Sequence, residues 1–137
     1  MFLVKWFLLP ALVLGVAGGA AAYAFGGSAI GGPGAYALVD PNGGSPRLIA
    51  GHTAGFTAVS VGEAGQGDYC LTARPTVDLV HTAAVASIEA FYSNVAGFVG
   101  VRYDPNSPNC DPHQLEVKTF DQSVSPTNQI AFTVNVP

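Results

Sequence analysis

The chain is expected to fold as an all-β protein, an antiparallel β-sandwich of about seven to eight short strands with one disulfide, preceded by an N-terminal signal helix. Three observations predict this. Short apolar runs alternate with turn clusters roughly every 8–12 residues, as in sandwiches and barrels. The last two runs alternate apolar and polar residues with a period of two. Two cysteines, Cys70 and Cys110, stand far apart in a chain whose start reads as an export signal.

That start is MFLVKWFLLPALVLGVAGGAAAYAF. Lys5 is followed by an apolar run and then by small residues ending in Ala22-Tyr23-Ala24. A charged start, an apolar middle and a small-residue site are the parts of a secretory signal peptide, here residues 1–24. Cleavage is expected after Ala24 or after Ala22. The alternative is an uncleaved membrane anchor, since Trp6 to Phe25 carries no charge. Pro10 and the glycines at 15, 18 and 19 make that a poor span. Either way, the rest of the chain is expected to be secreted or to face the exterior of the cell envelope. Residues 25–34 read as a flexible glycine-rich lead, and residues 35–137 as one domain.

Tyr36–Val39 reads as a strand, and Asp40-Pro41-Asn42-Gly43-Gly44 as a tight turn, because Asn-Gly tolerates positive φ. Arg47–Ala50 then pairs back as a hairpin. Phe56–Val61 is a third strand, with a glycine turn over 63–67. In Asp68–Ala73, Tyr69, Leu71 and Ala73 alternate with Cys70 and Thr72. Val77–Val80 reads as a short strand after Pro75. Val85–Phe91 is read as a strand, although its spacing also fits a helix. Phe98–Tyr103 is rich in β-branched and aromatic residues. In residues 113–121, Leu115, Val117 and Thr119 oppose Glu116 and Lys118. In residues 129–136, Ile130, Phe132, Val134 and Val136 oppose Gln129, Ala131, Thr133 and Asn135. Such strands bury one face of an antiparallel sheet. The only tryptophan, Trp6, leaves with the signal, so this is not a true immunoglobulin domain.

GDYCLTA (67–73), CDPHQLEVKTFD (110–121) and AFTVNVP (131–137), after a start like AYALVDPNGG, resemble a small exported bacterial β-module with one cysteine pair. The likeness covers about residues 34–137. It implies a stand-alone secreted domain, or the terminal head of a longer surface or tail-fibre protein. It implies no activity.

Charge narrows the partners. Without residues 1–24, four basic residues (Arg47, Arg74, Arg102, Lys118) face nine acidic ones, a net charge of −5. No basic cluster exists to neutralise phosphates, so nucleic acid is not expected as a partner. Membrane contact is expected only through an uncleaved N-terminal segment. Outside the cytoplasm, Cys70 and Cys110 most simply pair, closing a loop worth roughly 4 kcal/mol.

DPNSPNCDPH, residues 104–113, gathers potential ligands. Calcium could draw oxygens from Asp104, Asn106, Asn109 and Asp111, but the loop has no central glycine and no terminal glutamate. Zinc could draw on Cys110 and His113, but Cys70 is expected to be committed to the disulfide. Pro, Asn, Asp and Ser are also what tight turns use, so a stapled loop between two strands is the favoured reading, with no metal and no cofactor.

The histidines are His52, His81 and His113. Asp78, His81 and Ser87 could be written as a triad, but triads are recognised by geometry and no G-x-S-x-G elbow occurs. Glu63, Glu89 and Glu116 sit in different elements, and Glu89 reads as a strand residue facing water. No phosphate cradle and no N-x-[ST] acceptor is present.

Of the aromatics Tyr36, Tyr69, Phe91, Tyr92, Phe98, Tyr103 and Phe120, most are expected in the core. Phe91, Tyr92 and Phe120 are the candidates for an exposed binding surface. The functional expectation is a non-enzymatic domain with no catalytic residue, structural or binding a protein or glycan. A hydrolase working through His81 or His113 is one alternative. A self-assembling surface or fibre-head module, pairing through edge strands such as Ile130–Val136, is the other.

Overall fold

The computed structural model describes residues 34–137. The expectations for residues 1–24, and for the lead up to residue 33, lie outside the described residues. Eight strands form two four-stranded sheets: β1 (Ala35–Asp40), β2 (Arg47–Ala54), β3 (Phe56–Val61), β4 (Asp68–Ala73), β5 (Val85–Glu89), β6 (Gly97–Arg102), β7 (Gln114–Asp121) and β8 (Ala131–Val136). The first sheet has the order β2-β1-β8-β5 and the second β3-β4-β7-β6. Every neighbouring pair is antiparallel. The predicted sandwich is therefore observed.

The period-two pattern explains the layers. Ala35, Ala37 and Val39 of β1 and Phe132, Val134 and Val136 of β8 bury one face of the first sheet. Tyr69 and Leu71 of β4 and Leu115 and Val117 of β7 meet them from the second. Tyr69 and Phe132 pack ring to ring across the interface, with centroids 5.3 Å apart and planes tilted by 48°, a favourable aromatic geometry. Gly97 starts β6 where the chains crowd: a Cβ there would collide with the Phe120 carbonyl oxygen and sit 2.6 Å from Ile130 Cδ1.

The β1–β2 hairpin forms as expected, with Asp40 opposite Arg47. Asp40 closes it from both sides. Its Oδ1 accepts from the Asn42 N–H at 2.9 Å, and its Oδ2 from Arg47 Nε at 2.9 Å and Nη2 at 2.7 Å. The returning strand is longer than Arg47–Ala50 because it resumes after a bulge: Val39 pairs with Leu48, but Ala37 pairs with Thr53. Gly51, at φ 82°, permits that excursion.

Two expectations are corrected. Val77–Val80 is not a strand but part of the turn-rich β4–β5 connection. Asp78 Oδ1 takes the Val80 and His81 N–H groups at 2.9 and 3.0 Å, so the side chain supplies bonds that a ladder would otherwise supply. The apolar signal was genuine in one respect, since Leu79 plugs the core from this loop. The second correction concerns Ile130–Val136. The strand is central, with β1 on one side and β5 on the other, and offers no open edge. The described edges are β2, β5, β3 and β6.

Phe132 is fully buried at the sandwich interface. Phe132→Ala is expected to lower the unfolding free energy by about 3–5 kcal/mol, measured as a lower urea midpoint with an unchanged slope.

Candidate functional site

Three places on the domain collect polar and aromatic groups. The first is the outer face of the first sheet. Because Ala37 and Val39 point inward, Tyr36 points out, and the register sets it beside Asn135 of β8. Thr133 lies on the same outer face, opposite Ser87 of β5. Past β5 the chain turns at Phe91-Tyr92, whose start is fixed by Glu89 Oε1 accepting the Phe91 N–H at 3.1 Å. The bulge in β2 brings His52 to the same place. Tyr36, His52, Glu89, Phe91, Tyr92, Thr133 and Asn135 line an open groove of about 710 Å³ there.

Phe91 is 97% exposed, and Tyr36 and Tyr92 are also exposed. Phe91 and Tyr92, expected on the surface, are brought together here. Tyr36, expected in the core, belongs with them, because it sits one residue out of phase with the buried alanines. His52, Glu89, Thr133 and Asn135 carried no binding signal in the sequence. Strand alternation marks Thr133 and Asn135 as outward, but only the pairing of β8 with β1 and β5 assembles the groove.

Phe120 lies elsewhere. It faces outward on the second sheet, directly opposite Phe98. Phe120 is only half-buried rather than exposed, whereas Phe98 is exposed, another correction to the expected core placement. Phe120 shares its surface with Arg102, Glu116 and Lys118, not with Phe91 and Tyr92.

The second place is beneath residues 104–113. Cys70 and Cys110 are bonded, with Cα atoms 5.5 Å apart. The register of the second sheet sets Ser60, Cys70, Glu116 and Arg102 in one outward row, and Asp68, Lys118 and Gly100 in the next. The stapled loop folds over these rows, so Glu116 is buried although it faces outward. Its carboxylate accepts from Arg102 Nε at 2.7 Å, Ser107 Oγ at 2.9 Å and Asn109 Nδ2 at 2.8 Å, with Lys118 Nζ at 3.2 Å. Burial alone would raise its pKa; Arg102, Asn109, Ser107 and Lys118 outweigh that and hold it down to about 2.

Asp68, next to it, moves the other way. Burial raises its pKa against the pull of Lys118, whose Nζ stands 3.8 Å from an Oδ1 that has no hydrogen-bond partner. Asp104 Oδ1 accepts the Asn106 N–H at 2.9 Å, and the Asp111 N–H donates to Gln114 Oε1 at 2.9 Å. The loop residues that suggested a metal are thus engaged in turns and in holding Glu116. Among the described residues, no three His, Cys, Asp or Glu side chains are grouped to hold a metal ion.

The third place is a groove of about 520 Å³ between the β4–β5 connection and the β6–β7 side of the second sheet. His81 and His113, far apart in sequence, both line it, with Arg74, Asp78 and Tyr103. Asp78 Oδ2 holds His81 Nδ1 at 2.9 Å. The His81 N–H and ring, with the Val80 N–H, keep the Asp78 carboxyl below its usual range. Ser87, the third member of the paper triad, is not held by His81. Its hydroxyl is bonded to Thr133 Oγ1 at 2.7 Å on the first sheet.

Comparison with protein families, with curated proteins and with solved structures finds no match.

Glu116→Ala is expected to cost about 1–3 kcal/mol, since it leaves the Asn109 and Ser107 donors without their acceptor while Arg102 and Lys118 keep access to water. Because Glu116 titrates lower in the folded than in the unfolded chain, its contribution is full above the ordinary glutamate range and is lost as pH falls toward about 2. The deficit of the alanine variant, read by denaturant unfolding, therefore shrinks across that acid window. Asp68 has the opposite sign: its raised folded pKa makes ionisation costly, so stability falls as pH rises through its titration. Asp68→Asn is expected to raise Tm by a few degrees at neutral pH and to change it little in strong acid.

Proposed function

We propose that this chain is an exported bacterial binding domain, without catalysis, that holds a neutral oligosaccharide on the groove of the first sheet. The observation that carries the reading is the convergence of Tyr36, Phe91 and Tyr92 on one open groove edged by His52, Glu89, Thr133 and Asn135. Aromatic faces offer flat apolar surface to the C–H face of a sugar ring, while carboxylate, amide and hydroxyl groups answer its hydroxyls. Pockets for small ligands combine apolar lining with a few placed polar groups in this way. Among the described residues, no Lys or Arg lines the groove to offer an anionic ligand a counter-charge.

Export is supported by the signal-like residues 1–24 and by the Cys70–Cys110 bond, which suits an oxidising compartment. Among the described residues, no helix is long and apolar enough to cross a membrane. The bacterial setting rests on the resemblance of GDYCLTA, CDPHQLEVKTFD and AFTVNVP to exported modules.

The hydrolase alternative has one observation in its favour, the placement of His81 and His113 in one groove with Asp78. Turnover abolished by His81→Ala without loss of stability would sustain it over a binding role.

Two tests follow. Protein recovered from a secreting host is expected to give an intact mass that lacks residues 1–24 and two hydrogens; a retained N-terminus would instead mean an anchor. On an array of neutral glycans, the same protein is expected to retain at least one class. Phe91→Ala and Tyr36→Ala should weaken that binding about tenfold each, the equivalent of about 1.4 kcal/mol. Tm should stay unchanged, because both side chains are exposed. Binding that ignores both substitutions would refute the groove as the site.

A further inference from the structure

The acidic chain spends most of its positive charge internally. Arg47 is taken by Asp40, and Arg102 and Lys118 by Glu116. Of the four basic side chains among the described residues, Arg74 alone forms no ion pair there. It does not stand on an arbitrary patch. It lines the groove that also holds His81 and His113, two of the chain's three histidines.

Among the described residues, the one carboxylate of that groove is Asp78, and it is occupied. Its Oδ1 accepts the Val80 and His81 N–H groups, and its Oδ2 faces His81 Nδ1 at 2.9 Å. That contact fixes the imidazole, leaving its other nitrogen for a ligand. Tyr103 donates its hydroxyl proton to the Pro112 carbonyl at 3.2 Å, so it does not compete for Asp78. Apart from Thr76, the remaining wall is apolar and includes Pro75, Val77 and Leu79. A hydrated inorganic ion gains nothing from such a wall, whereas a compact apolar body does.

We propose that this groove is a second binding site, for an organic anion: a single carboxylate or phosphate head, met by Arg74, His81 and His113, on a small apolar body set against Pro75, Val77 and Leu79. It is independent of the glycan reading, since it shares no residue with the first-sheet groove. The titratable and charged groups lining it are Arg74, Asp78, His81, Tyr103 and His113.

The test is a titration of the isotope-labelled full chain with benzoate, phenyl phosphate and neutral benzamide, followed by NMR. Benzoate or phenyl phosphate is expected to shift the Arg74, His81 and His113 signals. Which of the two binds better identifies the head group. Benzamide should bind at least tenfold more weakly than the better anion. Arg74→Ala should weaken the anion about tenfold with Tm unchanged, since Arg74 is exposed. Benzamide binding as well as the anions, or anion binding untouched by Arg74→Ala and by His113→Ala, would overturn the proposal. So would anion shifts confined to other surfaces.

Discussion

The second sheet is organised around one buried carboxylate. Glu116 belongs to the polar phase of its strand, and by register alone it would face water beside Arg102 and Cys70. A carboxylate taken from water costs several kcal/mol unless its charge and lone pairs are met. Here they are met by two cations of the sheet and two donors of the loop, Ser107 and Asn109. The composition of DPNSPNCDPH follows from that demand. Its prolines and aspartates shape the turns, its serine and second asparagine serve Glu116, and its cysteine holds the lid to β4. The loop and the charge need each other. Without the carboxylate the loop donors have no acceptor, and without the loop the carboxylate is an ordinary exposed residue.

The two sheets therefore use their outer faces differently. The second spends its outward polar residues on ion pairs and covers much of them with the stapled loop. The first leaves its outward residues open, with aromatic rings standing over Thr133 and Asn135. That asymmetry is why Phe91 and Phe120, similar in sequence terms, end in unlike settings, the first fully exposed and the second half-buried. Phe91 overhangs a groove with groups that can accept or donate hydrogen bonds. Phe120 pairs with Phe98 beside charges that are already satisfied.

Much of the fold was legible where a rule is local. An apolar run ahead of a glycine turn set the limits of β3, and alternation those of β4 and the inward phases of β7 and β8. Asn42-Gly43 marked the first turn, and two lone cysteines behind a signal-like start marked the staple. What was illegible depended on long-range pairing or on side chains that compete with the backbone. Val77–Val80 looked like a strand because hydropathy does not register that Asp78 captures its neighbours' N–H groups. Glu116 looked solvent-facing because nothing local says that residues 104–113 fold back over it. Tyr36 looked like core because aromatics usually are; its phase relative to Ala35 and Ala37 carried the correct signal. The meeting of His81 with His113 had no local signal at all.

The central placement of β8 has a kinetic consequence. Ala35 pairs with Val136, so the first sheet cannot close until almost the whole described chain is present. Non-local pairings of this kind pay their loop-closure entropy before any contact rewards them, which slows folding. Until β8 arrives, β1 has only β2, and β5 has no neighbour in its sheet. A chain built this way stays threadable while it is being made or moved, and commits to its final shape in one late step. Pulsed hydrogen exchange would register that step as amides of β1, β5 and β8 gaining protection together, after those of β3 and β4.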